Sequence, residues 1–307
     1  VKILLTGANG MVGKNILEHE KASQYDFLKP TSSELNLTNY LAVEEYIEKY
    51  KPDLVIHSAG IVGGIQANIK EPVRFLVENL EMGKNVLVAS HKCGIKKLIN
   101  MASSCMYPKD HQGLLEEEMI LTGPLEPTNE GYALAKISVT KLACYINRER
   151  GENRFKTFIP CNLYGRWDKF SIHNSHMLPA VIRKIHLAKL NNEKSVEVWG
   201  TGEARREFMN AKDLADFTFF AINNWERVPE MINVGLGFDH SINDYYSTVA
   251  KVLGYSGEFY HDISKPEGMK QKLVSVKKAT ALGWHAPTTL EEGIKAAYQF
   301  FLEKENL

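Results

Sequence analysis

Two short stretches hold residue types whose spacing could do chemistry. In the first, ASSCMYP (Ala102 to Pro108), Ser103, Ser104 and Cys105 follow directly on the apolar run KLINMA. A thiol and two hydroxyls thus stand where a buried strand gives way to a loop. In the second, GYALAK, Tyr132 and Lys136 lie four apart, on one face of a helix and one turn from each other. An unperturbed tyrosine ionises near ~10, too high for proton transfer at neutral pH, and a nearby ammonium favours the phenolate and lowers that value. Such a phenol can hand a proton to a carbonyl oxygen as hydride reaches the carbon. A serine from the loop after the strand can supply a second hydrogen bond to the same oxygen. By itself a Tyr-xxx-Lys pair is common, so its meaning depends on the elements that carry it.

Those elements alternate through the first half of the chain. KILLTG reads as a buried strand, YDFLK as a second, DLVIHSAG as a third, KKLINMASS as a fourth and FKTFIP as a fifth. Between them lie helical periods: one from about Met11, NYLAVEEYIEKY, a long helix from Pro72 to Gly94, and another from about Asn129 closed by Gly151. This rhythm predicts an α/β fold, a Rossmann-type doubly wound parallel sheet. After residue 165 the rhythm weakens into mixed helices and short strands, predicting a smaller C-terminal α/β substrate lobe. The expected division is residues 1–165 for a dinucleotide-binding domain and 166–307 mainly for that lobe, with a soft boundary across which the chain can return.

The first strand runs into TGANGMVG, with Gly7, Gly10 and Gly13 at three-residue spacing. Glycines there let the backbone turn sharply and approach a pyrophosphate, whose charge rests on the following helix N-terminus. After the second strand stand Lys29, Thr31, Ser32 and Ser33, with Glu34 slightly late for a ribose-binding carboxylate. Lysine and hydroxyls suit a 2′-phosphate, which favours NADPH and leaves NADH open.

Composition excludes other classes. Lys+Arg and Asp+Glu both number 37, so no bulk positive charge draws the chain to nucleic acid or anionic membrane. The start VKILLTGANG is too short for a signal-peptide core. Cys93, Cys105, Cys144 and Cys161 form no CxxC pair and accompany no zinc-like His spacing, so no metal is expected and reduced thiols in the cytoplasm are. Cys93, Cys144 and Cys161 read as core fillers.

With these motifs in place, the chain resembles the extended short-chain dehydrogenase/reductase family, and within it the branch of GDP-L-fucose synthases. The resemblance is carried in order along nearly the whole chain by GMVG, SELNL, VGGI, SSCMYP, LEPTNEGYALAK, NLYG, NSHMLPA, VWGTG, REF, INVG, SKPEG and LGW. It implies catalysis by Ser103, Tyr132 and Lys136, with Cys105 and His176 as the two groups that invert C3 and C5 beside a C4 ketone. Protons on those carbons are acidified by enolate formation, and a thiol near ~8.5 and an imidazole near ~6.5 bracket neutral pH. The resemblance also implies cofactor contacts from Gly7, Asn9, Gly10, Met11, Val12 and Gly13. Further along these would come from Ser32, Asn36, Leu37, Ala59, Lys136 and Asn162. A GDP-sugar would be held by Arg183, Trp199, Arg206 and Lys272. His176 is expected near a helix start capped by Asn174 or Ser175.

The sequence departs from the family pattern at Asn9 and Ser32, where basic residues are usual, and at Ser275, where an acid is. The function implied is NADPH-dependent reduction of a GDP-4-keto-6-deoxy sugar, with prior epimerisation. A C4 reductase acting alone, on a related sugar such as a heptose, remains open. A 4,6-dehydratase would want an Asp-Glu pair where SSCMYP stands, and a non-catalytic relative would commonly lack the tyrosine or lysine. Helices 72–92 and 129–150 carry apolar residues on more than one face (Phe75, Leu76, Leu80 and Val86; Ile137, Val139, Leu142 and Ile146), and in the family such helices pair in a homodimer.

Overall fold

The computed structural model describes residues 1–171, 175–265 and 269–305. Through the first half, β1 (Lys2–Thr6), α1 (Met11–Glu18), β2 (Asp26–Leu28), α2 (Tyr40–Tyr50) and β3 (Leu54–His57) follow one another. Then come α3 (Ile65–Lys70), α4 (Pro72–Lys92), β4 (Leu98–Met101), α5 (Glu130–Arg150) and β5 (Phe155–Pro160). The second half holds β6 (Asn162–Tyr164), α6 (Met177–Leu190), β7 (Ser195–Trp199), β8 (Arg205–Arg206), β9 (Phe208–Asn210) and α7 (Ala211–Asn223). It continues with β10 (Met231–Val234), β11 (His240–Ser241), α8 (Ile242–Leu253), β12 (Glu258–Asp262), β13 (Gln271–Lys272), α9 (Lys277–Leu282) and α10 (Leu290–Glu305).

Six strands form one parallel sheet in the order β10-β5-β4-β3-β1-β2, the Rossmann-type architecture. Both faces are covered, which is why its strands read as unbroken apolar runs. Alternate residues serve the two faces: Ile3, Leu5 and Ile56 join the core under α1 and α7, whereas Leu4 and Val55 join the one under α2, α4 and α5. The chain places β2 on one side of β1 and β3 on the other, so the turn after β1 lies at the switch point where such sheets bind ligands. Pro72 opens α4, and Gly151, at φ 64°, closes α5 in the left-handed conformation.

From Met231 the chain is back in the sheet, because β10 pairs with β5. The segment after residue 165 therefore supplies both the last sheet strand and a separate body. That body has its own core of α6, α8, α10 and β7 side chains, including Leu178, Val196, Tyr245 and Ile294. Helices α4 and α5 pack along each other. Of the apolar residues expected on more than one face of these helices, Phe75, Val86, Ile137, Val139 and Ile146 are buried within the chain. The outward apolar residues are Val73 and Val77 on α4 and Leu134 and Tyr145 on α5. Among the described residues no helix is long and apolar enough to cross a membrane.

Candidate active site

The glycine turn after β1 is built for close backbone approach. Gly7 has φ +72°, and a Cβ there would stand 2.6 Å from the Ala59 nitrogen. A Cβ on Gly13 would stand 2.4 Å from the Gly7 carbonyl oxygen. Gly10 caps α1 without a side-chain hydrogen bond, and the first turn holds no acidic residue. The N–H groups of Met11, Val12 and Gly13 thus open the helix as orphan donors, a fit for a dinucleotide pyrophosphate. Beyond β2, Glu34 turns back to accept from the backbone N–H (2.7 Å) and hydroxyl (2.9 Å) of Thr31, and these bonds hold its carboxyl below the usual range. Glu34 closes the loop, and Ser32 is left exposed at its crest. Asn36 is engaged locally with Thr38, and the Leu37 carbonyl accepts from Asn85 Nδ2 (2.9 Å).

At the carboxyl end of β4 the chain turns into a short 3-10 helix over Ser104–Met106, whose N-cap is Ser103. The Ser103 hydroxyl accepts from the Cys105 N–H (3.3 Å) and stands near enough to the Tyr132 phenol and the Cys105 thiol to pull both pKa values down. Tyr132 and Lys136 share one face of α5, with the Lys136 ammonium 5.8 Å from the Tyr132 ring centre. Lys136 Nζ donates to the Met101 carbonyl at the end of β4 (2.9 Å). Loop and helix are thereby locked together.

Burial sets the protonation states. It lowers Lys136 to about 8, with Cys105 opposing the shift. It raises Tyr132, and Cys105 adds to that rise while the Ser103 hydrogen bond offsets part of it. The sequence predicted a lowered tyrosine, but desolvation of the phenolate is the largest effect and drives it up. A neutral phenol is the form that can give up a proton during ketone reduction. Burial likewise raises Cys105, against the pull of Lys272, the Ser103 hydrogen bond and Lys136. His176 moves down through burial, with Lys169 adding to it. Cys105 therefore rests as a protonated thiol and His176 as a neutral imidazole, one donor and one acceptor.

His176 is itself the N-cap of α6 and makes no side-chain cap bond. Ser175, one of its expected caps, instead donates its hydroxyl to the carbonyls of Lys169 (2.7 Å) and Ser171. The other, Asn174, lies outside the described residues, as does the Pro266–Gly268 part of SKPEG.

Lys272 is half-buried, and desolvation lowers its pKa, with Arg206 adding to the fall and Cys105, Glu126 and Cys161 opposing it. It is the register partner of Arg206 in the small sheet β11-β8-β13. These two cations thus stand side by side, with Lys272 close enough to Cys105 to pull its thiol down. Trp199 ends β7, 55% exposed, with its indole N–H on Glu197 (2.8 Å). Asn162 Nδ2 donates to the Glu207 carbonyl (3.0 Å). Arg183 is directed elsewhere, to the Phe170 carbonyl (3.0 Å) and Glu305 (3.6 Å). Ser275 is buried, its backbone N–H on the Leu115 carbonyl (2.9 Å). Among the cysteines read as fillers, Cys144 and Cys161 are buried and Cys93 is half-buried at the end of α4.

Several residues at this end of the sheet carried no expected role. His57 hydrogen-bonds Thr6 beneath the glycine turn (2.8 Å), and burial, with Lys136 adding, lowers it to about 3. Asn79 on α4 holds both the N–H (2.9 Å) and the carbonyl (3.1 Å) of Ile61. The Tyr107 hydroxyl donates to Asn233 (2.5 Å) and pins the SSCMYP loop to β10. Only the polar residue inside an otherwise apolar strand, as at His57 and Asn233, gave a signal in the sequence.

Residues 3–235 match the model of the NAD dependent epimerase/dehydratase family. The chain belongs to that family. A protein described as GDP-L-colitose synthase from Yersinia pseudotuberculosis is 56% identical over 306 residues, covering 100% of this chain and 99% of its own. A GDP-L-fucose synthase from Azorhizobium caulinodans is 48% identical, covering 98% and 96%. Among solved structures, a GDP-6-OMe-4-keto-L-xylo-heptose reductase from C. jejuni superposes with a TM-score of 0.90 at 31% identity, covering 99% of this chain and 98% of that one. The Campylobacter jejuni protein described as MlghC, GDP-mannoheptose C4 reductase, with NADP bound, has a TM-score of 0.88 at 31% identity, covering 98% of each. For this family member the likeness extends through the segment after residue 235 as well as the sheet.

Proposed function

We propose that this family member reduces the C4 ketone of a GDP-4-keto-6-deoxy sugar with NADPH, after inverting the neighbouring carbons C3 and C5. The observation that carries the reading is the grouping of Ser103, Cys105, Tyr132 and Lys136 at the end of β4, with Lys272 near enough to act on the Cys105 thiol and Arg206 paired with Lys272. Tyr132 and Ser103 polarise the ketone oxygen. That stabilises an enolate while Cys105 and His176 exchange protons at the adjacent carbons, and Tyr132 later protonates the oxygen. Bound NADPH supplies the hydride; the orphan N–H groups of α1 hold its pyrophosphate and Lys136 its ribose hydroxyls. Arg206 and Lys272 grip the diphosphate of the substrate, and Trp199 offers a face to the base. The relatives described as GDP-L-colitose and GDP-L-fucose synthases support the epimerase/reductase reading. The two heptose reductases favour a reductase acting alone as the second reading.

The site also implies a setting. A working thiol at Cys105 requires a reducing compartment, and we place the enzyme in the cytoplasm. The exposed Val73, Val77, Leu134 and Tyr145 on paired α4 and α5 support a homodimer.

The test is turnover of a GDP-4-keto-6-deoxy sugar with NADPH in deuterated water, read by NMR. Solvent deuterium at an inverted carbon, abolished in Cys105→Ser with reduction retained, is the expected outcome. Reduction with no deuterium beside the carbonyl leaves the reductase reading, and no turnover on any GDP-4-keto sugar defeats both.

A further inference from the structure

Two distant segments close on one buried carboxylate. Glu207 stands between β8 and β9 and is 1% exposed. Its Oε1 accepts from the backbone N–H groups of Leu236 (2.5 Å) and Gly237 (2.9 Å), and its Oε2 from that of Val274 (3.0 Å). Its own carbonyl accepts from Asn162 Nδ2 (3.0 Å). A Cβ on Gly235 would stand 2.4 Å from Oε1, so the loop leaving β10 can lie against the carboxylate only with glycine there. Arg206 is the residue before Glu207, and Lys272 lies two residues before Val274. A second buried acid ties the same small sheet. Asp239 accepts from Arg205 Nε (2.7 Å) and Gln271 Nε2 (2.6 Å), the residues that alternate with Arg206 and Lys272 along their strands.

We propose that Glu207 is a positioning residue for the substrate diphosphate: as a carboxylate it clamps β8 to β13 and to the loop after β10, and so sets the spacing of Arg206 and Lys272 beside Cys105. The proposal rests on the GDP-sugar reading above. Its physical basis is donor counting. Three backbone N–H groups converge on a side chain that, ionised, only accepts. A protonated acid or an amide turns a donor toward one of them and leaves a buried N–H unpaired. Strand β8 would then shift against β13, and the two cations with it. The sheet-borne turn for the cofactor makes none of these contacts.

Burial raises Glu207 to about 7, the three backbone hydrogen bonds hold it down, and Asp239 adds to the rise. Cys161 and Tyr245 are further ionisable groups that interact with it. The sign follows: the clamp is complete above that range, and affinity for the GDP-sugar falls as pH drops through it.

The probe is GDP-mannose, a phosphodiester without the second ionisation near ~6 of a terminal phosphate. Binding is measured calorimetrically from pH 8 to pH 6, roughly the window around the raised carboxyl, with NADP+ titrated in parallel. Wild-type affinity for GDP-mannose should fall toward pH 6. Glu207→Gln should bind it about tenfold more weakly at pH 8, the scale of a hydrogen bond to a charged group, and show a flattened pH profile. Its NADP+ affinity should stay within about twofold of wild type, as for independent sites. A wild-type profile flat from pH 8 to 6 overturns the proposal without any variant. So does a Glu207→Gln protein that keeps the wild-type profile, or one that loses GDP-mannose and NADP+ in equal measure. A wild-type protein that binds NADP+ but not GDP-mannose overturns the GDP-sugar reading itself, and the proposal with it.

Discussion

The sheet side of the site and the lobe that faces it are built to different tolerances. On the sheet side, Ser103, Cys105, Tyr132 and Lys136 gather at the end of β4, and Lys136 is bolted to the Met101 carbonyl. On the lobe side, Trp199 is more than half exposed, and Arg206 and Lys272 ride on strands of two residues. Proton transfer needs atoms placed within fractions of an ångström, which elements buried on both faces provide. Holding a nucleotide is spread over many contacts, so shorter elements suffice, provided something such as Glu207 fixes their spacing.

Substitutions on the two sides should therefore differ in size and in kind. The largest effect belongs to Tyr132→Phe, which keeps the ring and removes the proton. Turnover should drop about 10²–10⁴-fold, the usual worth of a positioned general acid, while thermal unfolding stays near wild type. Retained turnover would remove the sheet side from the chemistry. Next comes Gly13→Ala, whose new methyl would meet backbone atoms of Gly7 and Ala8 that cannot swing aside. A cost of about 1–3 kcal/mol is expected, read as a lowered Tm and weakened NADP+ binding. An unchanged Tm and unchanged NADP+ affinity would mean that the turn is looser than its geometry. The smallest effect should come from Trp199→Ala, which removes an exposed ring. Loss of about 1 kcal/mol in GDP affinity, with stability untouched, is expected of one stacking contact. Undiminished GDP binding would move the base to another surface and narrow the contrast between the two regions.

Much of the sheet side was readable in the residues. Apolar runs bounded by glycine and proline gave the strands, and Pro72 and Gly151 marked helix ends that the structure places at the same residues. The lobe was less readable because β8, β11 and β13 are two residues long and carry no period. Glu207 illustrates the limit. It sits inside REF, a stretch that drew attention as a motif, yet its partners Leu236, Gly237 and Val274 lie far along the chain. Ser175 shows the converse: a residue favoured at helix starts by type spends its hydroxyl on carbonyls of the preceding loop.

By itself the sequence determined the alternation that makes a parallel sheet, the glycine turn after β1, and the pairing of Tyr132 with Lys136, because each depends on neighbours within one or two turns of chain. The tertiary structure alone decided the return of β10 to the sheet and the burial that sends Tyr132 up and Lys136 down. It also decided the meeting of Arg206 with Lys272 beside Cys105. Desolvation and long-range charge depend on what the rest of the fold brings close, and no local pattern carries that.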